Sequence, residues 1–426
     1  MRRRILLGVI MTGRRNSVFP CASIRAEHWT GSLVRRNARA LFLFLISLLV
    51  FCNASSKTHP QSTSSGVHAK WTIELKKYGW TPAKSESDKK FFKDFTLAKL
   101  EGLDQNTRVL FISNDELVVY HTKQEGENYR TASREVEAFF VNAQDGSLLQ
   151  TKLWPVQMRK SEIDLRDSEA RLVPLQGDRF LILANGTIMT YDRDLNLINQ
   201  ETLEPSSSTG PWSVQAVAGG AQVFLRHEPG PAVTYEWRAS DTLQLLRKTP
   251  GYRDPHFHPQ YLVSAGENAV FTGSSSGIKM ITPDQQLKTI CEDKFCRGDG
   301  HLQVFASRYI VFSGRTGIGV IDIAHGLVWS KTIGTNLNPN DVQFGHIVSS
   351  ISGTRFGVWM TSYRKTLFDG VKVHQSPVLL IYDATNPKLL CSIPMKLYGD
   401  FNFALSPDEK HVAIFNDASL TLYALD

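Results

Sequence analysis

The sequence predicts an all-β fold, a seven-bladed β-propeller closed by an N-terminal strand, and three features support this. After residue 100 the chain is built of short period-two apolar strands separated by polar turns, with almost no helical periodicity. A unit of such strands recurs seven times, with starts spaced by 41 to 63 residues, close to the roughly 40 to 50 residues of one propeller blade. The seventh unit has three strands, whereas one isolated strand precedes the first unit.

Each unit opens with two apolar strands joined by a short turn. The seven hairpins are RVLFISNDELVVYH from Arg108, RLVPLQGDRFLILA from Arg171, WSVQAVAGGAQVFLR from Trp212, QYLVSAGENAVFTG from Gln260, HLQVFASRYIVFSG from His301, HIVSSISGTRFGVWM from His346 and FNFALSPDEKHVAIF from Phe401. Most units continue with a strand that contains Tyr-Asp or a relative, a polar turn and a further strand, as in TIMTYDRDLNLINQETL. The seventh unit ends with the strand LTLYAL.

The isolated strand WTIEL, from Trp71, is the expected fourth strand of the seventh unit. A strand contributed by the N-terminal part leaves no open seam in the ring, which is how closed β-structures remove unpaired edges. The alternative is that this segment is an ordered stub packed elsewhere.

The first 54 residues have the features of an export leader. They contain nine of the 48 Lys and Arg but one of the 41 Asp and Glu, so the rest of the chain is nearly neutral. The apolar run ALFLFLISLLVF, residues 40–51, is shorter than the roughly 20 residues of a membrane-spanning helix. A small residue, Ala54, follows in a position typical of signal-peptide cleavage. We therefore expect a secreted or periplasmic protein with no stable membrane span after cleavage; the alternative is a membrane anchor formed by residues 40–52.

These observations divide the chain into three parts. Residues 1–54 form the leader, the Ser/Thr-rich residues 55–69 form a flexible linker, and residues 70–426 form a single β-propeller domain. Because the domain is nearly neutral and has no concentrated basic stripe, nucleic-acid binding is disfavoured.

Three cysteines follow the leader. Cys291 and Cys296, in CEDKFC, lie close enough to close a small loop, so an oxidising compartment predicts their disulfide and a free Cys391. No second cysteine pair is present to complete a zinc site.

Four short motifs suggest chemistry, but each has a simpler interpretation. GSSSG, residues 273–277, matches a nucleophile elbow but lies between two predicted strands, where that elbow needs a following helix. HFHP, residues 256–259, could be part of a metal site but offers two histidines and no third ligand. RGD at residues 297–299 matches an adhesion tripeptide, but three common residues often coincide by chance. SGRTGIG from Ser313 is rich in glycine like a phosphate-binding loop, but no helix follows it. The sequence therefore predicts no catalytic residue, no metal site and no cofactor.

Two phrases resemble known blade signatures. ALSPDEKHVAI resembles the Ser-Pro-Asp-Gly blade motif of YVTN and WD-repeat propellers, with Glu409 at the usual glycine, and VIDIAHGLVWS resembles the quinoprotein blade motif, with its tryptophan one residue early. The chain from about residue 70 resembles secreted bacterial propellers of this WD-repeat, YVTN and quinoprotein-like group. The resemblance implies the fold, whereas such propellers include both enzymes and pure binding modules.

In a propeller, the turns between second and third strands share one face with the connections between blades. That face is expected to carry the long segments TKQEGENYRTAS from Thr122, RHEPGP from Arg226 and SYRKTLFDGVKVHQS from Ser362. Aromatic residues, Arg and His on such loops are typical of binding surfaces. The candidate ligand-binding residues are Trp212, Tyr252, Arg253, His256, His258 and His301.

The sequence thus favours an exported binding or scaffolding module for a protein or small-molecule ligand. The alternative is a propeller enzyme, quinone-dependent or lactonase-like. An enzyme of that kind should bring Asp, Asn or Glu side chains together at the channel mouth, whereas the predicted first strands begin with Arg, Trp, Gln, His or Phe.

Overall fold

The chain forms seven antiparallel sheets in a computed structural model, one for each predicted unit. The structure describes residues 67–81, 107–125, 133–156, 171–184, 186–203, 212–227, 233–251, 261–264, 270–274, 277–282, 284, 286–293, 296, 301–305, 308–314, 317–332, 342–349, 353–365, 372–374, 378–395, 402–416 and 418–425. These all lie within one compact unit, Thr63–Asp426, and the part of the chain that is described contains no α-helix.

The strands follow the chain blade by blade, from the innermost strand outward. Blade 1 comprises β2 (Arg108–Phe111), β3 (Glu116–Glu125), β4 (Ser133–Asn142) and β5 (Leu148–Val156). Blade 2 comprises β6 (Arg171–Leu175), β7 (Arg179–Ala184), β8 (Thr187–Tyr191) and β9 (Leu197–Thr202). Blade 3 comprises β10 (Trp212–Val217), β11 (Gln222–His227), β12 (Thr234–Ala239) and β13 (Leu245–Pro250). Blade 4 comprises β14 (Tyr261–Ser264), β15 (Val270–Ser274), β16 (Gly277–Ile281) and β17 (Leu287–Cys291).

The last three blades complete the ring. Blade 5 comprises β18 (His301–Phe305), β19 (Tyr309–Gly314), β20 (Gly317–Asp322) and β21 (Gly326–Thr332). Blade 6 comprises β22 (Val342–Ser349), β23 (Arg355–Lys365), β25 (Val378–Asp383) and β26 (Asn386–Pro394), and the short β24 (Lys372–His374) pairs with the end of β23. Blade 7 comprises β27 (Phe403–Leu405), β28 (His411–Asn416), β29 (Ser419–Leu425) and β1 (Val67–Glu74).

The predicted closure by an N-terminal strand is confirmed. β1 pairs antiparallel with β29, from Val67 opposite Leu425 to Glu74 opposite Ser419. Beyond this ladder, the Leu75 N–H donates to the Ala418 carbonyl at 2.9 Å. The strand begins at Val67, so residues 67–69 of the predicted linker belong to the closing strand.

The ring is continuous around all seven blades. Each innermost strand contacts the innermost strands of both neighbouring blades, including β2 of blade 1 with β27 of blade 7. The buried apolar side chains of the described residues form seven clusters, one in each seam between adjacent blades. Since hydrophobic burial is the main favourable term in folding, the seams carry the core of this protein.

Three seams contain a tryptophan from an outermost strand that binds the next blade. The Trp329 indole N–H donates to the Ala384 carbonyl at 2.8 Å, and the Trp71 indole N–H donates to the Ala143 carbonyl at 3.0 Å. Trp154 donates instead to the Tyr191 hydroxyl at 3.1 Å. Each tryptophan therefore joins two blades by both packing and a hydrogen bond.

The turns between first and second and between third and fourth strands share one face of the disc, which we call the turn face. Adjacent blades are bonded there: the Asp408 N–H donates to Asn114 Oδ1 at 2.9 Å, and the Gln176 N–H donates to the Gly220 carbonyl at 3.1 Å. The opposite face receives the turns between second and third strands and the connections between blades. We call it the connection face.

The motifs of the sequence fall into this framework. GSSSG lies at the β15–β16 hairpin, where Ser274 pairs with Gly277, so a following helix is absent and the nucleophile-elbow alternative is wrong. Cys291 and Cys296 form a disulfide, and Cys391 is buried as a free thiol. The RGD and HFHP segments lie outside the described residues. β22 begins at Val342, four residues before the predicted His346. An irregularity between Phe344 and Ile347 interrupts the strand period, so the period alone does not reveal this first part of the strand.

Candidate binding face

Trp212 lies at the connection face in a fixed position. It is the first residue of β10 and pairs with His227, the last residue of β11. The two rings are stacked with centroids 4.1 Å apart and planes 5° from parallel. Both residues are buried, so one surface of the Trp212 ring is already covered by the histidine.

The other predicted site residues are described less fully. His301 is the first residue of β18, where it pairs with Ser313. Tyr252, Arg253, His256 and His258 lie outside the described residues, and their part in a binding site stays a prediction. The structure therefore adds one neighbour, His227, that the sequence reasoning did not select.

The β3–β4 hairpin of blade 1 projects beyond its own innermost strand. β2 pairs with β3 only as far as Tyr120, whereas β3 and β4 continue to pair as far as Glu125 opposite Ser133. Five residues at about 3.3 Å each extend the hairpin by roughly 16 Å toward the connection face. β5 accompanies it up to Val156.

Blade 6 has a second extended hairpin on the same face. β25 pairs with β23 up to Met360, and the last residues of β23, Tyr363–Lys365, pair instead with β24. Blade 7 lies between these two blades and has a tight β28–β29 hairpin, in which Asn416 pairs with Ser419. The connection face is therefore raised on both sides of blade 7.

A short segment of the chain covers the seam between blades 7 and 1. After β1, a 3-10 turn over Leu75–Tyr78 ends at Gly79, whose φ of 94° lies in the left-handed region that favours glycine. This reversal places Trp80 against Phe415 of blade 7, at 5.2 Å between ring centroids, and against His121 of blade 1, at 5.6 Å. Trp80 is 4% exposed.

His121 and Glu137 form a buried polar pair under Trp80. His121 Nε2 and Glu137 Oε2 lie 3.0 Å apart on neighbouring strands, and both residues are buried. The sequence carried a signal for this pair, because His121 and Glu137 continue the period-two apolar positions of β3 and β4 with polar residues.

The channel mouth on the connection face is formed by the starts of the innermost strands. The first residues are Arg108, Arg171, Trp212, Tyr261, His301, Val342 and Phe403. Blade 4 therefore starts at Tyr261 and blade 7 at Phe403, one and two residues after the predicted Gln260 and Phe401. Within the described ranges, no group of three or more His, Cys, Asp or Glu side chains is arranged to hold a metal ion.

Two carboxyl groups of the turn face are engaged in contacts within the protein. Arg308 donates a hydrogen bond to Asp322 at 2.8 Å, which holds the pKa of Asp322 well below its ordinary value. Burial raises the pKa of Glu116, although its Oε2 accepts a 3.0 Å hydrogen bond from Arg193. These contacts favour the connection face as the binding surface.

No helix among the described residues is long and apolar enough to cross a membrane. No protein-family model matches the chain, and no curated protein sequence matches it. Several solved structures are similar to it at low sequence identity.

Three solved structures illustrate this similarity. A chain of a mitotic checkpoint complex is 12% identical, with a TM-score of 0.47 over 87% of this chain and 95% of that one. The WD40 domain of Neurospora crassa Pan2 is 10% identical, with a TM-score of 0.47 over 85% and 96%. A protein of unknown function from Bacteroides caccae is 11% identical, with a TM-score of 0.38 over 65% and 94%. The fold assignment rests on the sheet topology of this chain, not on these likenesses.

Proposed function

We propose that this protein is an exported β-propeller that binds a protein or small-molecule ligand on its connection face. The observation that carries the proposal is the pair of extended hairpins, β3–β4 and β23–β24, which rise from that face on both sides of blade 7. Loops raised on a rigid scaffold are where binding residues are commonly found. The buried, stacked Trp212–His227 pair holds the start of β10 in place at the same face.

The sequence of the blade 6 hairpin suggests a class of ligand. Its paired residues include three basic ones, Arg364 and Lys365 of β23 and Lys372 of β24, and no acidic one. Because opposite charges favour association, we infer a protein ligand that presents an acidic segment to this hairpin.

The binding proposal is tested by shortening the two hairpins. Residues 124–134 and residues 361–377 are each replaced by Asn-Gly, which forms a compact two-residue turn and removes the ends of both paired extensions. Ligands are sought by affinity capture from the exported fraction of the source organism and by thermal-shift screening. A matched control carries Asp194→Lys and Asp284→Lys, both exposed on the turn face.

The expected result is a ligand that binds the wild type and the turn-face control but not the shortened variants, provided that all four proteins melt at similar temperatures. Binding that survives both shortenings, or that is lost in the turn-face control, would contradict the proposal.

Export rests on the leader alone and has its own test. The cationic residues, the 12-residue apolar run and Ala54 support cleavage before Ser55. Mass spectrometry of the exported protein should find a start near Ser55. A mature protein that keeps residues 40–52 would instead support the membrane-anchored alternative.

A further inference from the structure

The seam between blades 7 and 1 changes character toward the connection face. On the blade 1 side, the side chains that face blade 7 are apolar along most of the seam; they are Val109, Phe111, Leu117, Val119, Phe139 and Val141. Alternation along each strand places Thr107, His121 and Glu137 at the next positions of this face, and all three are buried. At the end of the seam nearest the connection face, which we call its upper end, the apolar core therefore gives way to a row of three buried polar side chains.

Asn402 of blade 7 faces this polar row. Its carbonyl accepts a 2.8 Å hydrogen bond from the Phe415 N–H, and the pairing of Phe403 with Ile414 continues to set Asn402 opposite Phe415. Side chains directly opposite on an antiparallel pair point to the same side. Because Phe415 packs in the seam cluster with Ala404 and Ala413, the Asn402 carboxamide points into the seam as well.

Trp80 covers the same place from the connection face. Its ring contacts both Phe415 and His121, so it bridges the two sides of the seam above Asn402. The indole, the carboxamide and the His121–Glu137 pair therefore all lie at the same end of this seam. Trp80 is 4% exposed and Asn402 is 2% exposed.

Two of these buried side chains have polar atoms with no hydrogen-bond partner in the described part of the chain. They are Nε1 of Trp80 and both Nδ2 and Oδ1 of Asn402. Buried polar atoms are almost always paired with protein groups or with ordered water, because leaving them unpaired is energetically costly. Three such atoms at the same end of the seam indicate a bound group that pairs with them.

The hydrogen-bonding capacity of the three atoms indicates that the bound group is neutral and carries a hydroxyl. Trp80 offers one N–H donor, and the Asn402 carboxamide offers two donors and one acceptor oxygen. A cation would face these N–H groups, and an anion would lie beside the Glu137 carboxyl. A group that both accepts and donates fits all of them, and an internal water molecule meets this requirement within a closed seam.

We propose that the upper end of this seam is a binding site for internal water, which bridges the N-terminal segment, blade 1 and blade 7. The site joins the three parts of the chain that meet where the ring closes. It is separate from the ligand face proposed above, because Trp80 lies between the site and solvent.

A high-resolution crystal structure of the full chain tests the site directly. The expected result is electron density at hydrogen-bond distance, about 2.7 to 3.2 Å, from Trp80 Nε1 and from one amide atom of Asn402. A seam without that density, or one in which a protein side chain takes its place, would overturn the proposal.

The direction in which one substitution changes the Tm provides a second test in solution. Asn402→Leu keeps the size of the side chain and removes its polar atoms. If the carboxamide binds water that also pairs with Trp80, the variant loses these hydrogen bonds and its Tm falls by about 2 to 4 °C. If the carboxamide is unpaired in the native protein, the same change removes a buried polar cost and the Tm rises, which would contradict the proposal.

A double-mutant cycle shows whether Trp80 and Asn402 share the same occupant. Trp80→Phe keeps an aromatic ring and removes the indole N–H. The Tm of the double variant Trp80→Phe/Asn402→Leu should fall by clearly less than the sum of the two single losses. The matched control is Thr190→Val in blade 2, which removes another buried, unpartnered hydroxyl of the described chain and should be additive with Trp80→Phe. Additivity of Trp80→Phe with Asn402→Leu would refute a shared water.

Discussion

The seams between blades 5 and 6 and between blades 7 and 1 are built on the same plan. In each, a tryptophan of the outermost strand donates its indole N–H to the alanine carbonyl that follows the third strand of the next blade: Trp329 to Ala384, and Trp71 to Ala143. The two seams differ in connectivity. Blades 5 and 6 follow one another along the chain, whereas Trp71 lies on a strand that reaches blade 7 from the N-terminal side.

They also differ in what they enclose. Trp329 packs on Phe356 and Tyr382, with ring centroids 6.1 and 5.8 Å away, in an apolar cluster. The closing seam has an apolar cluster of its own but ends in the polar group of Trp80, His121, Glu137 and Asn402. The same tryptophan–carbonyl contact therefore occurs in two kinds of seam. Between blades 5 and 6 the contact lies in an apolar cluster, whereas between blades 7 and 1, where the ring closes, the seam also has a polar end.

The largest expected effect comes from removing the closing strand. Deletion of residues 70–76 removes most of the β1–β29 ladder and the Trp71 and Ile73 side chains. Several backbone hydrogen bonds at about 1 kcal/mol each and the lost apolar burial are comparable with a typical total stability of about 5 to 15 kcal/mol. Thermal denaturation should find the variant unfolded or aggregated.

The control for this deletion is a truncation that removes residues 55–65 and stops before Val67, where β1 begins. It should melt within a degree or so of the untruncated domain. Equal melting temperatures for the deletion and the truncation would show that the ring does not depend on β1.

The two docking tryptophans provide the next comparison. Trp329→Ala should lower the free energy of unfolding by about 3 to 5 kcal/mol, because the ring is buried in a full apolar cluster. Trp71→Ala should cost about 1.5 to 3 kcal/mol, because Trp71 is only partly buried. Chemical denaturation of both variants measures the difference, and an equal or larger loss for Trp71→Ala would show that the degree of burial does not set the cost.

The fold was predictable because its signals are local. Alternating apolar residues marked both strands of nearly every first hairpin, and the isolated WTIEL identified the closing strand. The start of that strand at Val67 was missed because residues 67–69 directly continue the Ser/Thr-rich stretch, although VHA alternates apolar and polar residues like the strand that it begins. β24 was missed because its pairing with β23 occurs inside a long loop, where no repeat register indicates it.

The polar end of the closing seam was not predictable in the same way. His121 and Glu137 were visible as polar residues at apolar positions, but their pairing depends on a register between strands. Trp80 reaches them only through the reversal at Gly79, and Asn402 arrives from the other end of the chain. A site built from three distant segments leaves no spacing that a single sequence can reveal.

A smaller effect isolates how closely the closing seam is packed. A Cβ added to Gly146 would lie 2.9 Å from the Trp71 ring and 3.1 Å from Ile73. Gly326, in the corresponding turn of blade 5, has a similar positive φ but no atom within 4 Å of an added Cβ. Both Gly→Ala variants meet the same left-handed backbone cost of about 1 to 2 kcal/mol, whereas Gly146→Ala should lose about 1 to 3 kcal/mol more.

Urea denaturation of the two glycine variants side by side provides the measurement. Their difference reports the contact between Trp71 and the turn of blade 1 without the backbone contribution. In a Trp71→Ala background this difference should shrink to the smaller part that Ile73 contributes. An unchanged difference would show that the steric contact does not involve Trp71.

The smallest expected effect compares a carboxyl group of blade 5, Asp322, with one of blade 1, Glu116. Their contributions to stability should change with pH in opposite directions. The Arg308 hydrogen bond holds the pKa of Asp322 below its ordinary 3.8, so Asp322 stabilises the fold above that value and loses this contribution as the pH falls below it. Burial raises the pKa of Glu116 above its ordinary 4.5, so the ionised form disfavours folding and stability falls as the pH rises through the shifted value. Melting temperatures are compared between about pH 3 and pH 7. As the pH rises, the Tm of the wild type should increase relative to that of Asp322→Asn, whereas the Tm of Glu116→Gln should increase relative to that of the wild type. If both variants follow the wild type in parallel, neither carboxyl group has a different pKa in the folded protein, and these two turns contribute nothing to its acid sensitivity.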